Sequence, residues 1–277
     1  MSKAKITLTQ LESLRARNFH IAPGLRIKDE QQALDFIEQA GFLFLWLSDP
    51  SLNLPSLSKA YVSAKGDWGW WEWKQTLPER KACFYAKVLR HKGTFISWSL
   101  FPCFYAIYAP HLSYEEEWQA GLLPRPHKRV LEILREQGPL QTKELRLAFG
   151  PPRKENTRIV KRALEELQAA FRVSPAGGDT EGWSHHRWEL VERWAPGGAL
   201  RKGRAMEVTK AGAAIVAQYL KNVGVSTLAD ICWLFSWSRG TAEEFIAALK
   251  GVSEVEIEDL EGSYITLKKV LRDLKGL

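Results

Sequence analysis

"HKRVLEILREQGPLQTKELRLAFGPPRKENTRIVKRALEELQAAFRVSPAGGDTEGWSHHRWELVERW", residues 127–194, carries the pattern that decides the architecture. Val130, Leu131 and Leu134 recur at helical spacing, and Gly138-Pro139 stops that helix. Thr142 is placed to cap a short second helix through Phe149, with Leu145 facing inward. "GPPRKEN" reads as a turn. Asn156 then caps a third helix to about Ala170, with Val160, Ala163, Leu164 and Leu167 on its apolar stripe. Phe171 to Ser174 reads as a strand, "PAGGDTEG" as a turn-rich tip, and Trp183 to Val191 as the return strand. Three helices followed by a two-stranded hairpin is the order of a winged helix-turn-helix. The expected fold class is therefore mainly α with small β-hairpins, an α+β chain of tandem winged helices.

The charge pattern points the same way. The net charge is +7, and its distribution divides the chain. Residues 1–124 carry 14 Lys/Arg against 12 Asp/Glu, residues 125–210 carry 18 against 11, and residues 211–277 carry 7 against 9. A surplus confined to the middle implies a polyanionic partner there, most simply double-stranded DNA. The third helix offers Arg158, Lys161 and Arg162 at i, i+3 and i+4, with Arg153 and Lys154 in the preceding turn. Such a helix suits a groove lined by phosphates. Arg187 on the wing, beside His185 and His186, is placed to reach an adjacent groove. Residues 195–210 are Gly-rich and basic. Arg201, Lys202 and Arg204 suit a phosphate-contacting arm, and the same composition suits a plain linker.

From Ala211 the pattern repeats without its charge. A helix ends at Gly224, Thr227 and Asp230 frame a second, and a third runs from about Thr241 to Lys250. A hairpin follows, with Val255–Glu258 and Tyr264–Leu267 joined by a turn at Glu261–Ser263. Between Val225 and Gly262 there are two cations and eight acids, so a phosphate backbone would repel this copy. It reads as a structural or protein-binding module, with Trp233, Phe235 and Trp237 packing on a neighbour. Residues 1–124 predict a Thr9/Glu12 capping box, a helix from Asp29 to Ala40, and a buried strand or short helix at "GFLFLWLSDP". "WEWKQTLPERKACFYAKVLR" reads as helical, interrupted or restarted at Pro78, and "GTFISWSLFPCFYAIY" as a strand leading into a helix. That order is compatible with a third, divergent winged helix. The expected division is 1–124, 125–194, 195–210 and 211–277.

Composition excludes several classes. No apolar run approaches the roughly 18 residues a membrane span needs, and no apolar signal core follows the first residues. Three scattered cysteines argue for a reducing, cytoplasmic setting rather than a disulfide framework. No phosphate loop, zincin motif or nucleophile elbow is present, and no metal or cofactor is expected. "GDWGWWEWK", residues 66–74, packs four tryptophans into six positions. A core role is the first reading, with Trp71 beside Lys74 as the candidate for stacking on an unpaired base. Nothing identifies a catalytic residue. Asp49 and Asp67 are the candidate acids or bases.

Three segments, "GPLQTKELR…KRALEELQ", "HHRWELVERW" and "VSTLADICWLFSWSRGTAEEFIAAL", resemble the bacterial crosslink-repair DNA glycosylase (AlkZ-like) family, particularly its shorter relatives. The resemblance implies tandem winged helices around a DNA channel and excision of alkylated or crosslinked bases. Its catalytic part does not carry over. The family's Gln-x-Asp or Gln-x-Gln motif would fall after Ala40-Gly41, where Phe44-Leu45-Trp46 stands. Its His-Glu-Ala stretch would fall near Ile96-Ser97-Trp98-Ser99. The scaffold and the DNA partner, possibly damaged DNA, are transferred, giving lesion recognition, repair or regulation. The alternatives are a glycosylase with a substituted active site, and a scaffold that binds protein through the acidic C-terminal module.

Overall fold

Three helices that end on a glycine open three copies of one unit. The computed structural model describes residues 4–49, 52–63, 66–179 and 185–277. It begins with β1 (Ala4–Ile6) and α1 (Leu8–Asn18). The first unit comprises α2 (Glu30–Ala40), β2 (Phe42–Phe44), α3 (Leu57–Ala60), α4 (Trp73–Glu79) and the hairpin β3 (Phe84–Leu89) and β4 (Lys92–Ile96). Helices α5 (Phe101–Tyr108) and α6 (Tyr114–Gln119) lead to the second: α7 (Arg125–Gln137), β5 (Leu140–Gln141), α8 (Thr142–Phe149), α9 (Lys154–Ala169), β6 (Val173–Gly178) and β7 (His186–Leu190). After α10 (Val191–Trp194) and α11 (Gly197–Arg204) comes the third: α12 (Val208–Val223), α13 (Leu228–Phe235), α14 (Arg239–Ala247), β8 (Val252–Ile257) and β9 (Leu260–Leu267), closed by α15 (Lys268–Lys275).

Gly41, Gly138 and Gly224 end α2, α7 and α12. In each unit the backbone just beyond that glycine pairs antiparallel with the returning hairpin strand: Phe42 with Ile96, Leu140 with Trp188, Ser226 with Ile265. This is the winged-helix order three times over, and the divergent N-terminal stretch follows the same plan. Gly224 also lets α1 approach. Its φ is +85°, and a Cβ there would sit 2.7–2.8 Å from the Leu11 and Leu14 methyls.

The units are tied together by long-range pairing. Strand β1 joins the third unit, parallel to β8, with Ala4 opposite Val255. At the junction of the first two units, Phe84 stacks on Phe171 at 5.0 Å, with Phe101 and Trp194 against the same ring. Burying each such ring stabilises by roughly 2–3 kcal/mol.

Several local expectations shift. Thr7 with Gln10, not Thr9 with Glu12, forms the box that opens α1. Gln141 with Glu144 caps α8, while Thr142 lies inside the helix and accepts a bond from Trp188 Nε1 at 2.9 Å. Helix α9 starts at Lys154, and Asn156 instead donates to the Pro151 carbonyl at 2.9 Å. The helical reading of 71–90 fails after Glu79: "FYAKVL" is strand β3, because both its faces are covered. The strand β6 runs on through the "PAGG" read as a tip. Trp183 and residues 180–184 lie outside the described residues. Helix α14 begins at Arg239, capped by Ser238, and the last hairpin turns at Glu258-Asp259 rather than at 261–263.

Candidate nucleic-acid interface

Helices α8 and α9 meet at the Pro151-Pro152 turn, and the turn places both helices' cations round one cleft of about 560 Å³. Lys143 and Arg146 come from α8, one turn apart. Arg153 and Lys154 come from the start of α9, and Leu147 and His185 complete the walls. The Arg146 Nε is buried with no hydrogen-bond partner among the described residues. An uncompensated buried donor is costly unless a ligand acceptor fills it. Arg158 and Lys161 follow Lys154 at i+4 and i+7 on the same exposed side of α9, and neither makes an ion pair among the described residues. The sequence reading found Arg153 and Lys154 but missed Lys143 and Arg146. Their i, i+3 spacing on the second helix was the available signal.

Other expected contacts are engaged elsewhere. Arg162 bonds Glu166 at 2.7 Å along its own helix, and Glu166 also takes His127 at 2.8 Å. The Arg162 bond holds the Glu166 carboxyl below its usual range, and burial holds the His127 imidazole down. Arg187 reaches back to Glu79 at 2.8 Å, so it braces the wing on α4 instead of extending to a groove. Such exposed pairs are worth only about 0–1 kcal/mol. The segment read as an arm is helix α11. Leu200 and Gly203 are buried, and a Cβ on Gly203 would lie 2.9 Å from the Tyr105 ring on α5. Arg201, Lys202 and Arg204 project from that helix, and none lines the α8–α9 cleft.

The tryptophans divide. Trp70 and Trp73 are buried, and Trp68, 63% exposed, stacks on Trp70 with ring centroids 5.8 Å apart. One face of Trp71 is covered: the Lys74 ammonium sits 3.1 Å from its ring centroid. Lys74 is only 4% exposed, and burial pulls its amine down to about 7. Beside it, His186 bonds Gln75 at 2.9 Å, and burial first, then Lys74, Lys87 and His185, bring that imidazole down to about 3.

A second cleft, of about 280 Å³, separates the first and third units. Asp49 and Ser48 line it with Arg90 and Lys92 of the first wing and Trp233 of α13. Phe235 packs on a neighbouring unit, edge-on to Phe42 with centroids 5.9 Å apart, and stacks on Trp237 at 4.5 Å. Trp233 does not: it is 43% exposed, with the Arg90 guanidinium 4.8 Å from its ring centroid. Asp67 stands apart from this cleft. It accepts from the Tyr61 hydroxyl at 2.7 Å and the Gly69 amide at 3.3 Å, which fixes the turn into the tryptophan segment.

The family model described as AlkZ related matches residues 27–236. The chain belongs to that family. Among solved structures, Streptomyces sahachiroi DNA glycosylase AlkZ is similar in fold, with a TM-score of 0.61 and 15% sequence identity. The match covers 99% of this chain and 72% of that one. No curated protein matches the sequence.

In this AlkZ-related chain, the place where the resemblance puts the catalytic amide or carboxylate is the end of β2. Phe42, Leu43, Phe44 and Leu45 are all buried there, and Trp46 is the first exposed side chain. At the second motif position, Ser97 and Ser99 bond each other at 2.7 Å. Asp49 is the carboxylate that the fold brings to the cleft just beyond β2. No helix of the described residues is long and apolar enough to cross a membrane, and no group of His, Cys, Asp and Glu among them could hold a metal ion.

Proposed function

We propose that this chain binds double-stranded DNA through the α8–α9 face and acts in recognition or repair of damaged DNA. The observation that carries the reading is the convergence of Lys143, Arg146, Arg153 and Lys154 on one cleft, with a buried guanidinium donor left unpartnered, at the start of a winged helix's third helix. Membership of the AlkZ-related family and the fold shared with a DNA glycosylase support it. Phosphate oxygens are acceptors of the right charge for such a cleft, and helix α9 would enter the groove behind them.

The test is duplex binding as a function of salt, with wild type and the quadruple variant Arg153→Glu, Lys154→Glu, Arg158→Glu, Lys161→Glu. Each lost phosphate contact lowers the slope of log K against log salt by about 0.9. The variant's slope should therefore be about 3–4 smaller, with its circular dichroism unchanged. An unaltered slope overturns the reading.

A second reading rests on Asp49. A carboxylate at the mouth of a cleft beside two cations and an exposed indole is placed to orient water or to stabilise a developing sugar cation. That makes a DNA glycosylase with a substituted active site the alternative for the same surface.

A further inference from the structure

Counted along the sequence, residues 211–277 are acidic. Folding sorts those charges. Glu243 and Glu244 lie on α14, and Glu254, Glu256 and Glu258 on and beside β8. The cations gather elsewhere. Lys221 at the end of α12, Lys250 after α14, and Lys268 and Lys269 at the start of α15 line one cleft of about 410 Å³, together with Arg17 from α1. Asp273 is the single acid in its lining. All five cations are exposed, and none makes an ion pair among the described residues.

Two further features suit an anion. The Lys268 amide, first of α15, donates to the Gly251 carbonyl at 2.7 Å, but Leu267 before it supplies no side-chain cap, and Leu267, Lys268 and Lys269 all line the cleft, so the positive end of the dipole lies beside it. The floor is apolar, formed by Leu14, Leu267 and Val270. A charged rim over an apolar floor matches a sugar–phosphate strand, in which phosphates alternate with largely apolar sugar faces. Five cations against the one acid Asp273 repel one another, and a polyanion removes that cost.

We propose that this cleft is a second backbone contact, gripping phosphates of the same DNA that the α8–α9 face engages. The proposal rests on the DNA-binding reading. The third unit is then a phosphate clamp rather than a bystander, despite its net negative charge.

The test uses the full chain, fluorescence anisotropy with a labelled duplex, and salt from about 50 to 200 mM. The variant Lys250→Gln, Lys268→Gln, Lys269→Gln should reduce the salt slope by about 2–3 and weaken binding about tenfold at the lowest salt. Lys250→Arg, Lys268→Arg, Lys269→Arg should keep both, which a purely structural role of the lysine side chains would not ensure. If wild type binds no duplex, the DNA-binding reading itself fails. If wild type binds, the α8–α9 variant weakens it and the Gln variant keeps the wild-type slope, this inference alone is overturned. Inorganic pyrophosphate at matched ionic strength separates the sources. Thermal stabilisation of wild type but not of the Gln variant, with no change in DNA slope, would overturn the backbone contact in favour of a small phosphate ligand.

Discussion

Replacing Lys74 by Met should stabilise this protein, and by an amount that depends on pH. Lys74 is buried between α4 and the second wing, with its ammonium on the Trp71 face and no carboxylate partner among the described residues. Burial lowers its pKa from 10.5 to about 7. Between pH 7 and 10.5 the unfolded chain therefore binds a proton that the folded chain lacks, and stability rises with pH there. Above 10.5 both states are neutral and the contribution vanishes. Below 7 both are charged and the penalty is constant. A shift of this size corresponds to about 5 kcal/mol at 1.36 kcal/mol per unit; attraction to the indole offsets about 1–2 kcal/mol of it and raises the lower end of that pH window by about one unit. Lys74→Met should thus gain about 3 kcal/mol at pH 6, and the gain should shrink towards zero by about pH 10. Urea unfolding of both proteins at pH 6, 8 and 9.5, followed by tryptophan fluorescence, measures it. Other titrating groups are common to both chains and cancel in the difference. A variant less stable than wild type at pH 6, or a difference that does not change with pH, refutes the argument.

Two further outcomes follow from single contacts. If the glycosylase reading holds, wild type releases bases from alkylated duplex and leaves abasic sites, and Asp49→Asn lowers that rate about a hundredfold or more; absence of abasic sites with wild type leaves binding alone. Gly212→Ala should destabilise by about 1–3 kcal/mol or more, because a Cβ there overlaps the Phe245 ring, and thermal unfolding unchanged by the substitution would contradict that packing.

The local signals were legible because their physics spans a few residues. Glycine stops at Gly138 and Gly224, the Thr227–Asp230 capping box, and the apolar stripe of the third helix each act within about one turn. Strand β3 was misread as helix because its covering comes from α9, about 80 residues away: the Lys87 amide donates to Gln168 Oε1 at 3.0 Å, and the Lys87 ammonium pairs with Glu165 at 2.6 Å. The same distance rule governs the site. Arg153 and Lys154 could be named from sequence, since a turn before a third helix is exposed by construction. Arg187 could not be assigned, because Glu79 arrives from another unit, and Trp71 could not, because only the folded rotamer of Lys74 covers its ring.

By itself the sequence determined two helix-led units, a third compatible with the same plan, and the location of the basic surplus, all of which depend on residue identity and short-range spacing. Only the tertiary structure decided which cations face one cleft, which are held by acids, and that an acidic segment can present a basic cleft. Charge acts through distance in space, and chain order alone does not specify that distance.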